Sequence, residues 1–305
     1  MRNPVLKFLA GILVGLLAVA GTASGASAVS SSGIVAFNGG NGDLWIAGTS
    51  SGGGDMGHAV MPGTSPSQSW NGVIAFQGTN GHLWKTTTGF GAVDLGFAMM
   101  PGTSPGISGD GQFIAFQATN GDLWRTTDGG SGQNLGLGMA KGTSPSANSN
   151  GTKIAFQANT GLLWVWSTSG TKALGFGMMP GTSPSFGAQD IQVAFQANTG
   201  YLWITYWNGN ARNMGYPMKP GTSPAFALGG MVGFQGSNGN LWTVGSSGGD
   251  GRDLGYAMKA GTSPSINSAG TTVAFHGAAG TLWTSGTTGG GRNTGFPVAA
   301  GTSPS

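Results

Sequence analysis

Five glutamines recur at the ends of apolar runs, Gln77, Gln117, Gln157, Gln196 and Gln235, with Asn38 and His276 at the same place in the first and last copies. Asparagines follow a few residues later, at Asn41, Asn80, Asn120, Asn159, Asn198 and Asn238. A primary amide both donates and accepts hydrogen bonds, which suits neutral, hydroxyl-rich ligands such as sugars. Amides also satisfy turn backbones and bridge strands, so the same residues fit a structural role. Three tryptophans fall outside any regular spacing and are candidates for an exposed binding platform. Trp70 lies in Ser69-Trp70-Asn71-Gly72, Trp166 two residues after Trp164, and Trp207 ahead of Asn208-Gly209. Packing at a blade edge is their structural alternative, and Trp166 and Trp207, from neighbouring units, are placed to share one aromatic patch.

Catalytic chemistry finds little material. The chain has no glutamate, so a glycosidase pair would draw on two of nine scattered aspartates. Several of these, Asp43 and Asp122 among them, sit in turn sequences where aspartate is common. His58, His82 and His276 occupy different contexts, with no metal-ligand spacing and no Ser-His-Asp arrangement. The expectation is a non-catalytic protein with no metal and no cofactor.

The elements that position these residues repeat. Trp45, Trp84, Trp124, Trp164, Trp203, Trp242 and Trp283 each follow a leucine, at intervals of 39, 40, 40, 39, 39 and 41 residues. Within one copy, Phe113-Ile114-Ala115-Phe116-Gln117 and Leu123-Trp124-Arg125-Thr126-Thr127 flank Asn120-Gly121, a hairpin signal. A short segment after Gly102-Thr103-Ser104-Pro105 precedes them and a fourth run, Asn134 to Met139, follows. Four short strands per unit of about 40 residues is the content of one propeller blade. The fold expected is all-β: a seven-bladed propeller of four-stranded antiparallel blades.

Gly-Thr-Ser-Pro begins at Gly63, Gly102, Gly142, Gly181, Gly221, Gly261 and Gly301. Proline cannot donate to a ladder and belongs at an edge or a strand start, so this motif marks the innermost strand. The chain is out of phase with its blades, beginning on a second strand, Val35-Ala36-Phe37, and finishing on Gly301-Thr302-Ser303-Pro304-Ser305. The C-terminal segment is therefore expected to complete the N-terminal blade and close the ring. The Leu-Trp indoles and the methionines Met99, Met139, Met178, Met218 and Met258 then read as packing.

Arg2 and Lys7 precede the apolar run Phe8 to Ala20 and the small-residue site Ala26-Ser27-Ala28. This predicts a signal peptide over residues 1–28, a propeller over 29–305, and a secreted, extracellular protein. Thirteen apolar residues are too few to span a bilayer, which takes about 20. Beyond the leader, ten basic residues face nine acidic ones, and no basic stripe is visible in the sequence, so nucleic acid is excluded as the expected partner.

The Val/Ile-Ala-Phe-Gln, Asn-Gly-x-Leu-Trp and Gly-Thr-Ser-Pro motifs, over nearly all of residues 29–305, resemble the repeats of secreted β-propeller lectins, the tachylectin-2-like, tectonin-like and Photorhabdus-lectin-like proteins. The resemblance implies a carbohydrate-binding protein with several shallow sites, taking glycans or cell-surface polysaccharide. The arginine and glutamate of fungal fucose lectins are not matched in every blade, Arg212, Arg252 and Arg292 recurring only in the last three, and the sialidase box is missing. A protein-binding or adhesion scaffold, with Trp70, Trp166, Trp207 and Tyr206 carrying recognition, is the alternative.

Overall fold

The computed structural model describes residues 28–29, 33–49, 52–88, 91–127, 130–187 and 189–305. They form a seven-bladed β-propeller, each blade one antiparallel sheet. Blades 2 to 7 take their four strands in order along the chain. In blade 3 these are Gly106–Ile107, Phe113–Gln117, Asp122–Thr127 and Gly132–Gly138, from the axis outwards. Blade 1 contributes Ile34–Asn38, Asp43–Gly48 and Gly53–Ala59. Its innermost place is filled from the other end of the chain. The Ser305 N–H donates to the Ala36 carbonyl (2.8 Å) and the Ala36 N–H to the Ser305 carbonyl (3.0 Å), which repeats the Ser67–Ala75 pairing of blade 2. The expected closure is present. The expected leader lies, Ala28 apart, outside the described residues. Ala28–Val29 add as a short parallel strand to the inner strand of blade 7, Ala28 opposite Ile266.

The hairpin after each glutamine differs from a two-residue Asn-Gly turn. Gly121 N–H bonds the Ala118 carbonyl (2.8 Å) and Ala118 N–H the Asp122 carbonyl (3.0 Å). Gly121 takes φ +86°, and Asn120 is not among the residues with positive φ. This is a three-residue loop with a glycine in the left-handed region. Asn120 is thereby free to act through its side chain, whose Oδ1 accepts the Asp122 N–H (3.1 Å).

Blades pack large on small. Ala115 and Leu123 of blade 3 meet Ile154, Phe156 and the half-buried Trp164 of blade 4, with Met139 filling between them. Six of the seven interfaces also carry an aromatic group from the outer strand of one blade against the Phe–Trp pair of the next, Leu137 taking that place between blades 3 and 4. Phe97 lies 5.7 Å from Phe116, which lies 6.3 Å from Trp124; Tyr216, Phe234 and Trp242 repeat this at 6.1 to 6.2 Å. Tilted rings at such separations add to the area they bury.

The Gly-Thr-Ser-Pro motif explains itself around the axis. Each threonine hydroxyl caps the carbonyl three residues earlier, as Thr103 does on Met100 (2.8 Å). Each serine Oγ accepts the N–H of the matching serine in the preceding blade. The series runs Ser65 to Ser104, Ser144, Ser183, Ser223, Ser263 and Ser303 and returns from Ser303 to Ser65, every link 2.8 or 2.9 Å. Inner strands are sheet edges, with backbone groups open to unwanted pairing; here a closed belt of hydroxyls covers those N–H groups.

Candidate functional site

The five repeated glutamines are buried, each 0 or 1% exposed. Gln117 Nε2 sits 3.3 Å from each of the carbonyls of Gly121, Met139 and Ala140. Gln77 and Gln235 do the same in their blades. Gln157 reaches Met178 and Met179, and Gln196 holds the Lys219 carbonyl and accepts the Gly221 N–H. Each thus ties its hairpin or the crossover to the next blade, with its amide turned into the protein. Shorter Asn38 leaves both amide atoms without a partner. His276 donates its Nδ1–H to the Thr302 carbonyl (3.2 Å) while Nε2 has no partner, and burial pushes its pKa below the ordinary histidine value, with Lys259 adding to the effect.

The out-of-register tryptophans are half-buried and lie in separate places. Trp166 stacks under the Arg125 guanidinium of blade 3 at 4.8 Å. Trp207 packs against the cluster between blades 4 and 5 and takes Lys153 Nζ at 5.5 Å. Each indole fills its own inter-blade cleft with its own cation. Trp70 stands apart, at the axial end formed by the first turns of the blades. It lies over Gly109, where an added Cβ would come within 2.7 Å of its ring, and its N–H bonds the Gly109 carbonyl (3.0 Å).

Trp70 marks the lip of a narrow funnel on the axis, with a cavity volume of about 50 Å³. Its wall is the ring of second residues of the inner strands: Gln68, Ile107, Ala147, Phe186, Phe226 and Ile266. Five are apolar and one is an amide. Gln68 is 1% exposed, and neither Nε2 nor Oε1 has a hydrogen-bond partner. A buried amide without partners costs roughly 1–3 kcal/mol, and nothing in the repeat requires one here. Asp190 lies across the funnel, accepting the Ser149 N–H (2.8 Å) and hydroxyl. Gln189 and Asp190, at φ +60° and +64°, are the non-glycine residues with positive φ among those described. Left-handed backbone at a non-glycine residue stores about 1–3 kcal/mol and concentrates where a ligand is clamped.

The sequence reading missed two features of this funnel. Gln68 is one glutamine among many until it is set in register with Ile107, Phe186, Phe226 and Ile266; that register is the signal that would have found it. The serine register is the other. Hydroxyls of Ser67, Ser146, Ser185 and Ser305 cap the inner-strand N–H groups of the following blades. Ala225 interrupts the series just before Ile266, and Ile266 is where Ala28–Val29 add their extra strand.

On the opposite rim, amides and carboxylates form exposed clusters beside the Leu-Trp indoles. Asn41 Nδ2 bridges Asp43 and Asp55 at 3.0 and 2.7 Å, and its Oδ1 accepts the Trp45 indole N–H (2.9 Å). Asn80 repeats this with Asp94 and Trp84, and His82 Nδ1 lies 3.0 Å from Asp94. Desolvation works against the Asp94 charge, but the Gly96 N–H, His82 and Asn80 outweigh it and hold the carboxyl below its usual value. Asp253 is lowered in the same way by the Gly255 N–H, Asn240 and Asn238, against its desolvation. Among the described residues no three His, Cys, Asp or Glu side chains stand together as a metal site, and no helix is long and apolar enough to cross a membrane.

No protein-family model and no curated relative matches the sequence. Among solved structures, the chain resembles TolB from Acinetobacter baumannii with a TM-score of 0.51 and 16% identity, over 71% of this chain and 62% of that one. It also resembles BamB from Moraxella catarrhalis, with a TM-score of 0.49 and 14% identity, over 88% and 84% of the two chains. At such identities the likeness is one of fold: the chain is a β-propeller repeat protein.

Proposed function

We propose that the chain is a non-catalytic scaffold that binds protein, and that an extended apolar segment of its partner enters the axial funnel. The observation that carries this reading is the buried, unpartnered amide of Gln68 in an otherwise apolar ring. A glutamine amide offers one donor face and one acceptor, the complement of a peptide group, while the surrounding Ile107, Phe186, Phe226 and Ile266 suit apolar side chains. Ala28–Val29 support the same mode, since strand addition is already used on this inner edge. We propose, from the leader chemistry of residues 1–28, that this function is exercised outside the cell; N-terminal sequencing of the protein recovered from culture medium tests it.

Selection of peptides from a random display library, followed by calorimetric titration, tests the main reading. Selected apolar peptides should bind the wild type and lose about tenfold affinity with Gln68→Leu, equivalent to about 1.4 kcal/mol. Failure to select any peptide, or binding indifferent to both Gln68→Leu and Ile107→Arg, sinks it.

Glycan binding is a second reading, favoured by one specific feature: the exposed Asn–Asp clusters beside the indoles, as at Asn80, Asp94 and Trp84, where a cleft lined by His58 and Trp84 opens. A glycan array, repeated with Asn80→Ala, tests it. Weak sites of this kind would act through multivalency.

A further inference from the structure

Charge is almost balanced in the chain but not around the ring. Residues 29–140 hold six aspartates and two cations, Lys85 and Arg125, whereas residues 141–305 hold three aspartates and eight cations. Four of those cations share one register position on the outermost strands of consecutive blades. Lys172 faces Val165, Arg212 faces Ile204, Arg252 faces Thr243 and Arg292 faces Thr284. Blades 1 to 3 carry Gly54, Val93 and Gln133 at this position. All four cations are exposed. Lys172 Nζ donates to the Asn208 carbonyl (2.5 Å), Arg212 to the Ser247 carbonyl and Arg252 to the Thr288 carbonyl (3.4 Å). Each reaches the turn of the next blade, and a carbonyl does not neutralise it. The carboxylates nearest in sequence, Asp250 and Asp253, accept from the Gly245 N–H and from Asn238, Asn240 and the Gly255 N–H; they keep their charge, and the positive excess of this half of the ring is that of eight cations over three aspartates.

We propose that this arc on the outer wall of blades 4 to 7 docks a linear anionic polysaccharide. Four positive charges at equal height, one per blade, match a polymer with repeated negative charge. The arc is convex, so a flat lipid surface would meet only part of it, and duplex DNA, with a persistence length near 150 base pairs, is too stiff to follow it. Single-stranded nucleic acid is bound by backbone neutralisation together with bases stacked on aromatic rings, and none of the four positions is aromatic. The carbonyl contacts hold the long side chains across the cleft ends, and the arginines keep further N–H donors for sulfate or carboxylate groups. This proposal is independent of the funnel.

Binding to dextran sulfate, with neutral dextran as control, tests it across a salt series. The mature protein should bind dextran sulfate only, with affinity falling steeply as salt rises, as counterion release requires. Lys172→Gln, Arg212→Gln, Arg252→Gln and Arg292→Gln combined remove the charge and keep a polar side chain at each position. This variant should lose at least tenfold in affinity near 0.1 M salt, each substitution reducing the salt slope by about one. Its thermal melt checks the fold, and Arg212→Gln with Arg252→Gln alone serves if the fourfold variant unfolds. Asp55→Asn and Asp94→Asn should leave binding unchanged, as should Gln68→Leu. An unchanged slope in the charge-depleted variant overturns the proposal. So does equal binding of neutral dextran, binding of anionic vesicles or oligodeoxythymidine in place of dextran sulfate, or salt-sensitive self-association without polymer binding.

Discussion

Gln117 and Gln68 are the same residue, equally buried, at opposite ends of their blades, and only one of them has partners. Gln117 belongs to the repeat, and its amide nitrogen meets three backbone carbonyls. Gln68 departs from the repeat, and both of its amide atoms lack partners in an apolar wall. A residue that recurs in every blade answers a need that every blade has, which in a propeller is packing and backbone satisfaction. A residue that only one blade carries, with both amide atoms unpartnered, has no such explanation in the repeat, and peptide recognition is our proposal for it.

The comparison can be broken by mutation. The largest effect is expected for Gln117→Ala, which removes the amide donor shared by the carbonyls of Gly121, Met139 and Ala140, leaving Gly121 with the Met139 N–H and Ala140 with Thr143, and opens a cavity; chemical denaturation should show a loss of about 2–3 kcal/mol. A loss under about 0.5 kcal/mol would mean that the repeated amides are dispensable to the fold. Ser303→Ala comes next. It removes the acceptor of the Ser263 N–H within the belt that links the two ends of the chain, and an unfolding free energy lowered by about 1–2 kcal/mol is expected from chemical denaturation.

His276→Gln sharpens the contrast from the other side, by restoring the repeat residue to blade 7. The folded-state pKa of His276 lies below the ordinary value of 6.5, so between these two pH values the unfolded chain binds a proton that the native one does not. Stability therefore falls as the pH drops below about 6.5 and levels off under the folded pKa. The glutamine variant should lose that dependence, and parallel wild-type and variant stability profiles over this window would refute the assignment. The smallest effect on stability belongs to Gln68→Leu, expected to be neutral or stabilising by up to about 1 kcal/mol, while peptide affinity falls about tenfold. A destabilisation near that of Gln117→Ala would mean that Gln68 is structural after all.

Much of the architecture was written in the chain itself. Leucine–tryptophan spacing near 40 residues set the blade number, the β-branched and aromatic run Phe113–Gln117 and the Asn-Gly turns set the strands, and the offset between Val35 and Ser305 set the closure. These are local patterns, repeated seven times, so each copy confirmed the others. The site residues were less legible. Sequence placed Gln77, Gln117, Gln157, Gln196 and Gln235 correctly at the strand ends, but whether an amide faces solvent or a carbonyl depends on a crossover some 22 residues away in the chain. Trp166 and Trp207 were rightly set apart from the repeat, yet their cations, Arg125 and Lys153, come from the preceding blade. The serine belt, the funnel around Gln68 and the arc of Lys172, Arg212, Arg252 and Arg292 exist only when residues about 40 positions apart, or 238 at the Ser303–Ser65 link, are brought side by side. Periodicity determined which residues are equivalent; closure of the ring decided which of them meet, and therefore which side chains are left for binding.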